Sequence, residues 1–159
     1  MKPTRAFIHG LESSSRGTKG AFFSERYPDM IVGDFSGSFS QRMIKLEDLL
    51  EGKQLLVLVG SSYGGLMAAV YACLHEERVK KLILLAPALH LEPFDPYLNK
   101  RLSMPITIFH GLQDKVVPLT TVRAIAEQLF VNHEFNAVED DHPLHTTFAS
   151  LDWDALLSL

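Results

Sequence analysis

The chain has 159 residues, 47% of them apolar, which is enough apolar material to bury the core of one domain. Its 15 basic and 19 acidic residues give a net charge of −4, and no basic block could follow a phosphate backbone, so no nucleic-acid partner is expected. No linker, repeat or low-complexity tract divides the sequence, and residues 1–159 are therefore predicted to form a single domain.

The chain has one cysteine, Cys73, which cannot form an internal disulfide. It falls in an apolar helical segment, so a buried free thiol in a reducing compartment is expected. The N-terminal residues are too few to hold the apolar core of a signal peptide, and no apolar run approaches membrane-spanning length. The expected protein is soluble and cytoplasmic, with no membrane partner, and the sequence carries no signal for an oligomeric state.

Short apolar runs alternate with helix-like segments along the chain. The predicted strands are residues 5–9, 30–33, 54–59, 81–85, 106–110 and 134–138, and the predicted helices are residues 18–26, 41–51, 64–75, 119–130 and 145–157. This alternation favours a three-layer α/β/α sandwich with a mostly parallel sheet of about six strands. Ligand sites in such sheets form at the carboxyl ends of the strands. Residues 86–104 are the least regular segment and are too few for a lid domain.

The third predicted strand runs into the motif G-x-S-x-G, with Ser62 at its centre and a predicted helix directly after it. A serine between such a strand and helix can occupy a sharp turn, where small residues at Gly60 and Gly64 let the two elements pass closely. Its hydroxyl would then lie at a helix N-terminus, where free N–H groups favour developing negative charge. Ser62 is therefore the candidate nucleophile. The alternative is an ordinary serine in a glycine-rich loop.

The first predicted strand ends in His9-Gly10-Leu11. An oxyanion hole takes one backbone N–H from the residue after the nucleophile and one from the loop after an earlier strand. Tyr63 and Leu11 occupy these two positions, and Gly10 would let the loop approach Ser62. The alternative is a flexible turn. His9 is predicted to be a packed or hydrogen-bonded structural residue with no chemical role.

The best candidate for a carboxylate partner is Asp114, which follows the apolar run 106–110 in a turn before a predicted helix. A carboxylate there can accept the N–H of an imidazole and hold its tautomer. The competing interpretation is an aspartate that caps the turn.

Two histidines follow the last predicted strand. His142 lies in the loop directly after it and is the favoured base, with Pro143 expected to begin the next helix. His145 would then lie in the first helical turn and is kept as the second candidate. The neighbouring Asp140 and Asp141 are expected to be solvated, with local hydrogen bonds or a raised histidine pKa as the alternative.

The order Ser62, Asp114, His142 is that of the α/β-hydrolase triad, and the chain resembles a minimal α/β-hydrolase from residue 9 through its terminal helix. It is similar to the small bacterial esterases of the YqiA-like group in its N-terminal loop, HGLESS at 9–14, and in its elbow, GSSYGG at 60–65. The resemblance implies serine hydrolase activity on carboxylic esters or thioesters, without a metal or organic cofactor. Compared with the full fold, the first two strands are absent and the cap region is reduced to residues 86–104.

The expected reaction is hydrolysis of a small-molecule ester or acylated substrate through an acyl-enzyme. A site without a large lid suits short acyl groups, or an acyl group carried by a larger molecule. Tyr63, Leu89, His90 and Pro93 are weaker candidates for lining it. A thioesterase or other acyl hydrolase, and a binding module with little turnover, remain as alternatives.

Overall fold

Six strands form one parallel sheet in the computed structural model, which describes residues 1–159. Their order across the sheet is β2-β1-β3-β4-β5-β6. The strands are β1 (Thr4–Ile8), β2 (Ile31–Val32), β3 (Leu56–Ser61), β4 (Val79–Leu85), β5 (Ile106–Gly111) and β6 (His133–Val138). All neighbouring strands are parallel, so every carboxyl end lies at the same edge of the sheet.

Helices cover both faces of this sheet. They are α1 (Thr18–Arg26), α2 (Phe39–Leu50), α3 (Tyr63–Leu74), α4 (Leu119–Leu129), α5 (Thr147–Ser150) and α6 (Trp153–Leu156), with a 3-10 helix at Glu92–Tyr97. Side chains alternate between faces along a strand, and in β3 Leu56 and Leu58 join one core cluster while Val57 and Val59 join another. The first cluster packs against α2, α3 and α4, and the second against α1, α5 and α6. The predicted three-layer α/β/α fold is confirmed.

Most element boundaries differ from the prediction by one or two residues, and two of the differences are informative. Helix α2 begins at Phe39, not at residue 41, because Ser38 and Gln41 form a capping box that satisfies the N–H groups of its first turn. The predicted strand at 30–33 is reduced to two paired residues, Ile31 and Val32, at the edge of the sheet beside β1.

The predicted helix at 145–157 was wrong, because the chain forms α5 and α6 with a break between them. Leu144 has φ of 57°, outside the right-handed helical region, so Pro143 does not begin a helix. The N–H groups of Thr146 and Thr147 bond to the Asp140 carboxylate. His145 consequently lies in a turn before α5 and not in a first helical turn.

The segment between β4 and β5 contains only the short 3-10 helix and carries no cap domain. Phe94, within that helix, is fully buried in the core cluster that contains α3. None of the helices has the length and apolar composition needed to cross a membrane.

Candidate active site

Ser62 occupies the sharp turn between β3 and α3. Its backbone has φ of 56° and ψ of −114°, a strained conformation for a residue with a side chain, of the kind that costs about 1–3 kcal/mol. The turn is held because the Ser62 N–H donates to Leu85 O at 2.8 Å and the Ser62 carbonyl accepts from Ala88 at 3.0 Å. A side chain at Gly60 would strike the backbone of Gly64, and one at Gly64 would strike the backbone of the β1 end.

Ser62, His142 and Asp114 form a continuous hydrogen-bonded chain. The Ser62 hydroxyl lies 3.0 Å from His142 Nε2, and His142 Nδ1 lies 2.7 Å from Asp114 Oδ2. An ionised carboxylate only accepts hydrogen bonds, so Nδ1 carries the ring proton and Nε2 is free to accept from the serine. The Asp114 side chain is fully buried, whereas the His142 side chain is 19% exposed. The structure therefore brings together the three residues that the sequence selected.

Asp114 is fixed by the turn that it belongs to. Its Oδ1 accepts the N–H groups of Val116 and Val117, each at 2.8 Å. Its Oδ2 remains directed at His142. The turn-capping role weighed as the competing interpretation is thus real, but it is carried out by the other oxygen of the same carboxylate.

Asp140 shapes the loop that carries His142 through local hydrogen bonds, the role weighed as the alternative. The residue is buried, and its carboxylate accepts from the backbone N–H groups of Asp141, Thr146 and Thr147. Burial alone would raise the pKa of Asp140, but these hydrogen bonds outweigh it and hold the pKa below its usual value. The expectation that Asp140 is merely solvated was wrong. Asp141 does remain partly exposed.

Helix α1 holds the same loop from the other side. Lys19 Nζ donates to the Pro143 carbonyl at 2.7 Å and lies 5.4 Å from the centre of the Phe148 ring. Burial lowers the pKa of Lys19, while the charges of Asp141 and Asp140 oppose this effect. The His142 loop is therefore anchored on both flanks.

The loop after β1 lies against the Ser62 turn. A Cβ atom placed on Gly10 would come within 3.4 Å of Ser62 Cβ, which shows how closely the two backbones approach. The N–H of Leu11 donates to no other group, and Tyr63 is the first residue of α3, so its N–H has no acceptor within the helix. Tyr63 therefore follows Ser62 directly and Leu11 follows the Gly10 contact, and neither N–H is used elsewhere.

Two side chains fix that loop in place. His9 is buried, and its Nε2 accepts the Phe35 N–H at 2.9 Å, so its Nδ1 carries the proton and donates to Gly10 O at 2.7 Å. Asp34 accepts from the N–H and the hydroxyl of Ser15, and these bonds lower the pKa of Asp34. His9 is a structural residue, as expected, whereas the anchoring role of Asp34 was not indicated by the sequence.

The weaker lining candidates have different environments. Tyr63 is half-buried, with its ring edge-on to Phe39 at 6.0 Å. His90 is half-buried and Pro93 is partly exposed, but Leu89 is 1% exposed and packs in the core, so it does not line an open site. The reason is that the chain turns inward after β4 towards α3.

One apolar groove lies away from Ser62. It measures about 410 Å³, runs between α2, α3 and the 3-10 helix, and has none of Ser62, Asp114 or His142 in its lining. This groove is therefore separate from the surroundings of Ser62. Cys73 lies on α3, where burial raises the pKa of its thiol to about 12, so that it stays protonated at neutral pH.

A family model described as the alpha/beta hydrolase fold matches residues 10–101, more than half of the chain. The chain belongs to the α/β-hydrolase family. The matched part of this α/β-hydrolase contains the Leu11 loop and the Ser62 turn, whereas Asp114 and His142 lie beyond it. The fold supports a hydrolase. No curated protein sequence matches the chain.

Solved structures share the fold at low sequence identity. Alpha/beta hydrolase domain-containing protein 10 from mouse is 19% identical, with a TM-score of 0.74 over 90% of this chain and 83% of its own. Est1E from Butyrivibrio proteoclasticus, in a structure with bound ferulic acid, is 18% identical, with a TM-score of 0.75 over 98% of this chain and 86% of its own. An alpha-beta serine hydrolase homologue from Coxiella burnetii is 20% identical, with a TM-score of 0.73 over 97% and 83%. These likenesses are of fold.

Proposed function

We propose that the protein is a serine hydrolase that cleaves carboxylic esters through an acyl-enzyme. The observation that carries the proposal is the hydrogen-bonded chain from the Ser62 hydroxyl through His142 to Asp114. A half-buried serine in a strained turn, an imidazole with a free Nε2 and a buried carboxylate behind it are the parts that acyl transfer requires.

The reaction follows from these positions. Ser62 Oγ attacks the ester carbonyl while its proton passes to His142 Nε2, and Asp114 stabilises the imidazolium that forms. The N–H groups of Leu11 and Tyr63 are the proposed donors to the tetrahedral oxyanion. The C–O bond to the alcohol breaks as His142 returns the proton to the leaving oxygen. Water, activated by the same histidine, then releases the acid and regenerates Ser62.

A site without a cap domain favours short acyl groups, or an acyl group carried by a larger molecule. The short segment between β4 and β5 supports this, because no cap domain encloses the carboxyl ends of the strands. The bound ferulic acid in Est1E makes a hydroxycinnamate ester a reasonable member of a substrate panel. The same nucleophile and oxyanion donors would also serve a thioester.

The test is a panel of 4-nitrophenyl esters of increasing acyl length, the matching thioesters and a methyl hydroxycinnamate, assayed with the wild type and Ser62→Ala. We expect ester turnover that is greatest for short chains and is abolished in the folded variant. Turnover of thioesters alone would replace this proposal with a thioesterase. No turnover of any substrate by folded wild type would favour a binding module.

A further inference from the structure

His110 is a fully buried histidine that the proposed reaction does not use. It lies at the carboxyl end of β5, four residues before Asp114. Its Nε2 is 3.0 Å from the Val117 carbonyl and 3.3 Å from Asp114 Oδ2, the same oxygen that faces His142. A buried polar ring beside the carboxylate therefore contacts both the acid and the turn that carries it.

The tautomer of His110 follows from its neighbours. Both groups near Nε2 are acceptors, so Nε2 must carry a proton. Nδ1 is buried and has no hydrogen-bond partner, so a second proton there would place an unsolvated charge in the core. Burial lowers the pKa of His110, which keeps the ring neutral at neutral pH.

The charged and titratable groups around the ring are few. Asp114 and His142 lie on the side of the Ser62 turn, and His90 approaches from the segment after β4. On the β6 side the His110 ring stacks on the Phe135 ring, with centroids 6.2 Å apart. The guanidinium of Arg123, on α4, lies 4.8 Å from the centre of the Phe135 ring. The carboxylate of Asp114 is the only anionic group in contact with Nε2.

We propose that His110 is a positioning residue that holds the Asp114 carboxylate for His142. Its Nε2–H donates to Val117 O and closes the turn, and the same nitrogen lies 3.3 Å from Asp114 Oδ2, where it occupies one side of the oxygen that orients His142. Val117 in turn donates its own N–H to Oδ1, so His110 holds the residue that fixes this oxygen and packs beside the other. This inference rests on the proposed function, because it assigns His110 a role in the same acyl transfer.

Loss of the His110 donor has two separable effects. The Asp114 carboxylate gains freedom to rotate, which lowers kcat by about 10- to 100-fold when a reacting geometry is loosened. Oδ2 also keeps more of its negative charge for His142, which stabilises the imidazolium and moves the acid limb of the kcat/KM profile to higher pH. KM should change little, because His110 is buried and cannot touch a substrate.

The test compares His110→Leu, which removes the donor, with His110→Gln, which retains one. His133→Leu is the matched control. The His133 ring also hydrogen-bonds to a backbone carbonyl, but His133 lies at the start of β6, at the edge of the sheet opposite to the one that carries Ser62. The measurements are kcat, KM and the pH profile for each folded variant. The NMR titration of the His142 ring and the ¹⁵N tautomer signals of His110 are recorded alongside.

We expect His110→Leu to lose kcat and to shift the acid limb upward, His110→Gln to restore part of both, and His133→Leu to change neither. Wild-type kcat and pH profile in His110→Leu would overturn the inference, as would equal losses in all three variants. If His110→Leu does not fold, an Nδ1–H or protonated His110 in the wild type at pH 7 would overturn it. The NMR titration of His142 and the tautomer signals of His110 do not require turnover. They therefore test the role of His110 even if no ester in the panel is hydrolysed.

Discussion

His142 Nε2 lies 3.0 Å from Ser62 Oγ, although 80 residues separate the two in the chain. His145, three residues later, faces away and pairs with the Asp141 carboxylate, with 73% of its side chain exposed. The positive φ of Leu144 between the two histidines explains why only one of them reaches the serine. In this geometry a single ring can take up the serine proton.

Replacing His142 and His145 separately should show which of them is the base. His142→Ala should lower kcat by on the order of 10⁴- to 10⁶-fold, because the base and the oriented serine act as a unit. His145→Ala should stay within about twofold of wild type, since the ring is exposed and bonds to Asp141 and not to Ser62 or Asp114. Steady-state kinetics on the preferred ester measures both. Loss of activity in His145→Ala with retention in His142→Ala would reverse the assignment.

Lys19 should influence the rate without contacting the substrate. Lys19→Met removes the hydrogen bond to Pro143, so the loop after His142 loses its link to α1. We expect kcat to fall by about 3- to 10-fold with KM nearly unchanged, because a loosened base is misaligned more often. Lys45→Met, on the exposed face of α2, is the control and should match wild type. Identical kinetics in the two variants would mean that the link is dispensable.

Asp140→Asn should destabilise the fold. The buried carboxylate accepts three backbone N–H groups, and an amide would turn its own N–H₂ toward some of them, at a cost of about 1–3 kcal/mol. Asp141→Asn alters a solvent-facing contact with His145 and should therefore cost much less. Urea unfolding at pH 7 measures the difference, and equal midpoints for the two variants would contradict the account.

The Asp140 contribution should also depend on pH. Because the folded pKa of Asp140 is lowered, its stabilisation is fully present above the unfolded value of about 3.9 and is lost as the pH falls through the folded value. The difference in the free energy of unfolding between wild type and Asp140→Asn should therefore become smaller below pH 4. A gap that stays constant down to pH 2.5 would exclude this linkage.

Histidine burial should make the protein less stable in mild acid. Burial lowers the pKa of His110 and of His90, so below about pH 6.5 the unfolded chain binds protons that the folded chain does not. The free energy of unfolding should therefore fall between pH 7.5 and 5.5. In the double variant with His90→Gln and His110→Gln, the free energy of unfolding should fall less over the same pH range. A wild type that loses no more stability than the double variant would contradict this prediction.

The sheet and the Ser62 turn were predictable because their signals are local. Strand β3 is an uninterrupted apolar run, and Gly60 and Gly64 stand where strand and helix backbones meet. The position of Asp114 followed from topology, since the residues after parallel strands gather at one edge of the sheet. Such inferences need only the period of the apolar pattern and the order of the elements.

The parts that were missed depend on hydrogen bonds and backbone conformations that no residue pattern marks. The buried state of Asp140 depends on N–H groups six and seven residues ahead, and the break before α5 depends on the conformation of Leu144, neither of which has a sequence signature. The position of His110 could have been noticed in the sequence. A histidine at a strand end, four residues before a candidate acid, can lie next to that acid once the turn forms. That spacing is short enough to be sought in other sequences.

The most direct test of the central claim is the reaction of the wild-type protein with a fluorophosphonate, read by intact-protein mass spectrometry. An activated serine should take up one phosphonyl group, located by peptide mapping to Ser62, and the label should be absent in Ser62→Ala and strongly slowed in His142→Ala. Folded wild-type protein that stays unlabelled, or is labelled equally in Ser62→Ala, would contradict the claim that Ser62 is the nucleophile.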